Sequence, residues 1–230
     1  MQNIRHEQRG AKTDRQLQPY LTEVDVPVEI LPSGDESMHV EYYTSEHEKY
    51  EIDVHDNMLH IAKKISFSWF ISWETPDKVK LTLYLPAGYA GDLEATAADG
   101  DIHIGNVPLS RLSVKTGDGD IFMRKTQIAG DATCKTFDGD IRIDEVSATN
   151  MKLQTTDGDI SLTRPAITNS LSCGAADGDI EGMLAGQASD YTFVVKTADG
   201  DSNIASGGSG AIQCELKTID GDVTVAFEDN

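Results

Sequence analysis

The sequence predicts an all-β fold: a single-stranded parallel β-solenoid with about 20 residues per coil. Three observations predict it. A tripeptide recurs at coil-length intervals, apolar and polar residues alternate on both sides of every copy, and the alternation slips by one residue inside the tripeptide. Asp-Gly-Asp begins at Asp99, Asp118, Asp138, Asp157, Asp177, Asp199 and Asp220, at intervals of 19, 20, 19, 20, 22 and 21 residues.

Alternation with a period of two is the mark of a strand with one buried face. Two residues before the first Asp stand Ala97, Thr116, Thr136, Thr155, Ala175, Thr197 and Thr218. Four before it are Ala95, Val114, Cys134, Leu153, Cys173, Val195 and Leu216, and six before it Leu93, Leu112, Ala132, Met151, Leu171, Phe193 and Cys214. Three residues after it come Ile102, Ile121, Ile141, Ile160, Ile180, Ser202 and Val223, and five after it Ile104, Met123, Ile143, Leu162, Gly182, Ile204 and Val225. These five columns are expected to point inward. Even offsets before the motif and odd offsets after it require a corner, and Gly and Asp supply turn chemistry there. A repeat this short cannot bury its apolar face alone, so neighbouring coils must stack into a common core. Helical repeats are excluded because no 3.6-residue period appears, and a propeller blade needs about twice this length. Parallel connections of this kind are expected to wind right-handed.

The same lattice extends backward at about 22 residues per step through Ser33-Gly34-Asp35, Asp56-Asn57 and Pro76-Asp77. Alternation follows each one: Met38, Val40 and Tyr42; Leu59 and Ile61; Val79, Leu81, Leu83 and Leu85. The expected organisation is a flexible polar N-terminal arm over 1–20 and one solenoid domain over 21–230. Within it, 21–90 form degenerate opening coils and 91–230 seven regular ones.

Composition narrows the function. There are 39 acidic and 19 basic side chains, and residues 91–230 carry 24 acids against 10 bases. Such a surface repels phosphate backbones, so nucleic acid and anionic lipid are poor partners. No apolar run approaches the length of a membrane helix. Residues 1–20 lack the apolar core of a secretory signal, which predicts a cytoplasmic protein unless an export segment lies upstream. Cys134, Cys173 and Cys214 all fall in inward columns and are expected as buried thiols. The six histidines show no metal-ligand spacing, and no nucleophile elbow, phosphate loop or zinc motif occurs.

The units around Lys115-Thr116-Gly117-Asp118-Gly119-Asp120-Ile121, with the lead-in Val79-Lys80-Leu81-Thr82-Leu83-Tyr84-Leu85-Pro86-Ala87-Gly88, resemble the bacterial "putative adhesin" family, a domain of unknown function. The resemblance covers nearly everything from residue 24 onward. It implies a β-solenoid of bacterial envelope or stress-response proteins, hence an envelope or extracellular location.

Stacking turns the motif into two acidic columns: Asp99, Asp118, Asp138, Asp157, Asp177, Asp199 and Asp220, then Asp101, Asp120, Asp140, Asp159, Asp179, Asp201 and Asp222. Like charges about 4.8 Å apart repel by about 1 kcal/mol per pair in water. Either the carboxylates cap turn amides, with relief from Lys115, Lys135, Lys196 and Lys217, or they hold a row of calcium ions. A second candidate is the aromatic segment Ile65–Trp73, whose Phe67, Trp69, Phe70 and Trp73 form either a core element or a partner patch. No other cofactor is expected. The leading expectation is a non-catalytic structural or adhesive module presenting an acidic face to a protein or glycan. A calcium-binding solenoid is the alternative, and a β-helix polysaccharide-active enzyme the second. The terminal coil, with Val223, Val225 and Phe227 and no helix after it, is expected to be blunted by charge or to pair in a weak end-to-end homodimer.

Overall fold

The computed structural model describes residues 4–9, 18–44, 48–55, 58–65 and 80–228. The strands before each corner, Asp92–Ala97, Arg111–Lys115, Asp131–Lys135, Ser147–Gln154 and Ala166–Gly174, join a thirteen-stranded sheet. Those after it, Ile102–Gly105, Ile121–Arg124, Ile141–Asp144, Ile160–Thr163 and Ile180–Leu184, join a ten-stranded sheet. All of these central pairings are parallel.

Branched residues favour these strands because their side chains pack well on a pleated surface. Register then places like on like: Ile102, Ile121, Ile141, Ile160, Ile180 and Val223 are successive Cα partners, all at 0% exposure. The buried residues form one hydrophobic cluster that runs from Leu21 to Val225. All five inward columns are buried through the coils of Asp118, Asp138 and Asp157. The exceptions gather in the Asp199 coil, where Thr197, Val195 and Ile204 are only partly covered and Ser202 is exposed.

That coil is exposed because the coils do not stack in chain order. In the thirteen-stranded sheet the sequence of neighbours is Ala166–Gly174, Ile212–Lys217, Tyr191–Lys196 and then the short Gly207–Gly208. The Asp220 coil therefore lies directly on the Asp177 coil, and the Asp199 coil is the outer layer. A core-facing serine is tolerated in an outermost layer, where no further coil covers it.

The N-terminal end repeats the inversion. Gln18–Val24 and Val28–Pro32 make a coil with the corner Asp25-Val26-Pro27, stacked on Asp92–Ala97 and Ile102–Gly105. Met58–Ile65 and Leu81–Leu85, which come later in the chain, lie outside it. The expectation of successive opening coils is thus corrected, because the coil nearest the regular stack is the first in the chain and carries no Asp-Gly-Asp. Met38, Val40, Leu59, Ile61, Leu81, Leu83 and Leu85 are buried as expected, whereas Val79, Asp56-Asn57 and Pro76-Asp77 lie outside the described residues.

The outer layers also depart from a purely parallel solenoid. His39–Thr44 pairs antiparallel with both Leu81–Leu85 and Ile4–Arg9, and Glu48–His55 forms an antiparallel hairpin with Met58–Ile65. Both sheets are therefore mixed. Ile4–Arg9 is a paired strand, not part of an arm, since backbone pairing at a sheet edge does not need an apolar face. Stacking predicts that Ile141→Asp, a carboxylate forced among 0%-exposed isoleucines, removes the cooperative melt, because an unpaired buried charge costs several kcal/mol against a total stability of about 5–15 kcal/mol. A melting curve like that of the wild type would contradict the packing.

Candidate functional site

The corner is where the coils come closest. A Cβ placed on Gly139 would stand 2.0 Å from the Gly119 carbonyl oxygen, and one on Gly158 2.1 Å from that of Gly139. The series continues from Gly178 to Gly158 at 2.0 Å, from Gly221 to Gly178 at 2.3 Å and from Gly200 to Gly221 at 2.1 Å. Real side chains cannot occupy such positions, so the middle residue of the motif is glycine for steric reasons.

The threonine two places upstream serves the same carbonyl. Thr136 Oγ1 donates to Gly119 O at 2.9 Å, Thr155 to Gly139 O at 2.9 Å, Thr218 to Gly178 O at 2.9 Å and Thr197 to Gly221 O at 3.0 Å. Buried carbonyls need such partners.

The two aspartate columns divide sharply. In the second column every carboxylate but that of Asp201, in the outermost coil, accepts the backbone N–H of its counterpart one coil on: Asp101 from Asp120 at 2.9 Å, Asp120 from Asp140 at 2.8 Å, Asp140 from Asp159 at 2.8 Å and Asp159 from Asp179 at 2.9 Å. Asp179 then accepts from Asp222 at 2.7 Å, and Asp222 from Asp201 at 2.7 Å. This chain of bonds follows the spatial order of the coils, not their order in sequence. Arg142 bridges two members, meeting Asp120 at 2.9 Å and Asp140 at 2.5 Å. Asp120, as hydrogen-bond partner and then as charge, holds that guanidinium above its ordinary value.

The first column does none of this. Asp99, Asp118, Asp138, Asp157, Asp177, Asp220 and Asp199 are all exposed, and among the described residues no side-chain hydrogen bond or ion pair falls on them. Of the expected counter-charges, Lys217 pairs with Glu215. Beside this column project Phe137 at 57% and Ile219 at 60% exposure, each one residue before a first-column Asp. The corner is therefore an acidic ridge with two apolar points, standing on a row of carboxylates committed to the backbone.

A second corner went unread in the sequence. Asn106, Lys125, Glu145 and Arg164 take positive φ of 63°, 48°, 52° and 46° there. The last three form a ladder of opposite charges with Glu228: Lys125 to Glu145 at 3.7 Å, Arg164 to Glu145, and Arg164 to Glu228 at 3.5 Å. The hydrogen bond from Arg164 lowers the Glu145 pKa. Four charged or polar residues at a shared offset were the available signal, hidden because such residues are common on any surface.

The remaining candidates behave differently. Phe67, Trp69, Phe70 and Trp73 lie outside the described residues. Cys134, Cys173 and Cys214 are free and buried, and burial pushes the Cys134 and Cys214 thiols up to about 12. Among the described residues no group of three or more His, Cys, Asp or Glu converges to hold a metal ion. A shallow depression opens elsewhere, on the outer face of the thirteen-stranded sheet, lined by Gln18, Asp92, Glu94, Arg111, Ser113 and Thr133. Arg111 is tied there to Asp92 at 3.2 Å. No helix among the described residues is long and apolar enough to cross a membrane.

A stack of short coils sharing one acidic corner defines a β-solenoid-like repeat module. The chain belongs to the Toastrack DUF4097 family, which it matches over residues 21–230. Its fold is similar to that of a "putative adhesin" from Bacteroides fragilis, at 15% identity and a TM-score of 0.56, with 97% of each chain covered. A "putative adhesin" from Parabacteroides distasonis gives the same identity, TM-score and coverage. A "putative cell adhesion protein" from Clostridium sporogenes aligns at 8% identity and a TM-score of 0.53, covering 99% of this chain and 100% of that one. No curated protein matches the chain.

The division between columns predicts unequal mutants in one coil. Asp159→Ala removes the acceptor of the Asp179 N–H and is expected to cost about 1–2 kcal/mol, as lost caps do, whereas Asp157→Ala stays within about 0.5 kcal/mol of wild type. Urea denaturation of both variants measures the difference, and equal losses would remove the distinction.

Proposed function

We propose that the chain is a non-catalytic, adhesion-like binding module that presents its acidic ridge to a protein or glycan at the bacterial envelope. The observation that carries the reading is the first aspartate column, whose seven exposed carboxylates do no structural work in the corner that holds them. Because the second column already caps the turn amides, the first is not needed for folding, and charge repulsion along it disfavours it unless something offsets that cost. A partner bearing cations would offset it, and Phe137 and Ile219 give such a partner apolar anchors beside the charge.

Two further facts support the class. The acids are spread evenly along the stack instead of converging in one cleft, as a glycan-cleaving site would require. The solved structures that share the fold are described as a "putative cell adhesion protein" and "putative adhesins". The reading takes residues 21–230 as one domain, supported by the span of the family match and by the continuous core. It also takes the coils as right-handed, which the general handedness of parallel crossovers supports.

The test is a variant with Asp118, Asp138, Asp157 and Asp177 all changed to Asn, compared with wild type for binding to a glycan array and a panel of basic proteins. The expected result is a melting temperature within about 2 °C of wild type, with about tenfold or greater loss of every interaction the wild type makes. Undiminished binding by a folded variant would remove the ridge from the account.

A further inference from the structure

The C-terminal end of the stack is closed by side chains that imitate backbone. Val223–Phe227 is the last strand of the ten-stranded sheet, so one row of its peptide groups faces away from the stack. A row of this kind ordinarily invites another strand. Here the row is filled at two successive positions. Val223 N–H donates to Asp201 O at 2.9 Å, and Val223 O accepts from Asn203 N–H at 3.2 Å. Two residues on, Val225 N–H donates to Asn203 Oδ1 at 2.9 Å and Val225 O accepts from Asn203 Nδ2 at 2.9 Å. One asparagine amide thus takes both hydrogen bonds that a neighbouring residue of a strand would take.

The thirteen-stranded sheet is closed the same way. On its outer side the strand Tyr191–Lys196 meets the two-residue Gly207–Gly208, paired antiparallel at Thr192 and Phe193. Beyond that pair, Val195 N–H donates to Ser206 Oγ at 2.8 Å, and the same hydroxyl donates to Val195 O at 3.1 Å. Asn203 and Ser206 both sit on the exposed segment between Lys196 and Ile212, where the Asp199 coil gives up its second strand and keeps two isolated bridges, Asp199 to Asp220 and Ser202 to Val223.

We propose that Asn203 and Ser206 are edge plugs, and that the surface they cover is a latent strand-docking site for a second copy of this chain. The kind of partner follows from what the plugs imitate. Val223–Phe227 already takes a parallel strand of this same chain, Ile180–Leu184, on its inner side, with matched spacing and alternation. Another copy's edge strand offers that geometry again once the outer row is uncovered. This inference is independent of any role for the acidic ridge, which lies along the side of the stack.

The test is the double variant Asn203→Ala, Ser206→Ala in the full chain, followed by sedimentation over a range of concentrations. The expected variant keeps the far-ultraviolet dichroism of wild type and associates at tens of micromolar, where wild type stays monomeric. Added peptide with the sequence of residues 222–228 disperses it. A folded variant that remains monomeric throughout, or a wild type that associates equally, overturns the proposal. Should the double variant fail to fold, Asn203→Ser leaves Ser206 in place and is read by amide exchange at Val225. Acceleration by about tenfold or more supports the plug, and an unchanged rate overturns it.

Discussion

The structure depends on one steric constraint, the contact between the glycine of each corner and the glycine carbonyl of the adjacent coil. With about 2 Å between that oxygen and the place a Cβ would fill, the stack can close to normal strand spacing only if the residue is glycine. The rest of the motif follows from this approach. The threonine hydroxyl satisfies the same carbonyl, the second aspartate takes the neighbouring N–H, and the isoleucine begins the inward column on the far side of the corner. Only the first aspartate has no such duty, and the proposed binding role rests on that difference.

The identity of the corner in the seven Asp-Gly-Asp coils also permits the inversion at the C-terminal end. Each of these corners presents the same glycine carbonyl and second carboxylate, so the Asp220 coil fits on the Asp177 coil in place of the Asp199 coil. Returning inward leaves the Asp199 coil to serve as a cover, and a cover can abandon the repeat. It has serine where the others have isoleucine or valine, and an asparagine and a serine where a full coil would continue its strands.

Much of this was legible in the sequence. Strand, corner and strand were fixed by the alternation around Asp-Gly-Asp, and the column from Ile102 to Val223 stacks as that alternation requires. The order of the coils was not legible, because equivalent corners make different stacking orders equally acceptable to local chemistry. Ser202 and the longer spacings around Asp199 were the visible traces of it. The first coil escaped notice because Asp25-Val26-Pro27 turns the chain without the motif, using proline where the regular coils use glycine and aspartate. The separate fates of the two aspartate columns were beyond reach for a simpler reason: both residues are acidic and both lie at the turn, and only the backbone geometry decides which carboxylate meets an N–H.

The most direct measurement is the set of scalar couplings transmitted through hydrogen bonds from backbone nitrogen to side-chain carboxyl carbon in the labelled protein. The account predicts couplings from Asp140 to Asp120, from Asp159 to Asp140, from Asp222 to Asp179 and from Asp201 to Asp222, with none to any first-column carboxyl. A coupling from Asp201 to Asp179 would show the coils stacked in chain order, and couplings to Asp118, Asp138 or Asp157 would show that the first column is structural after all.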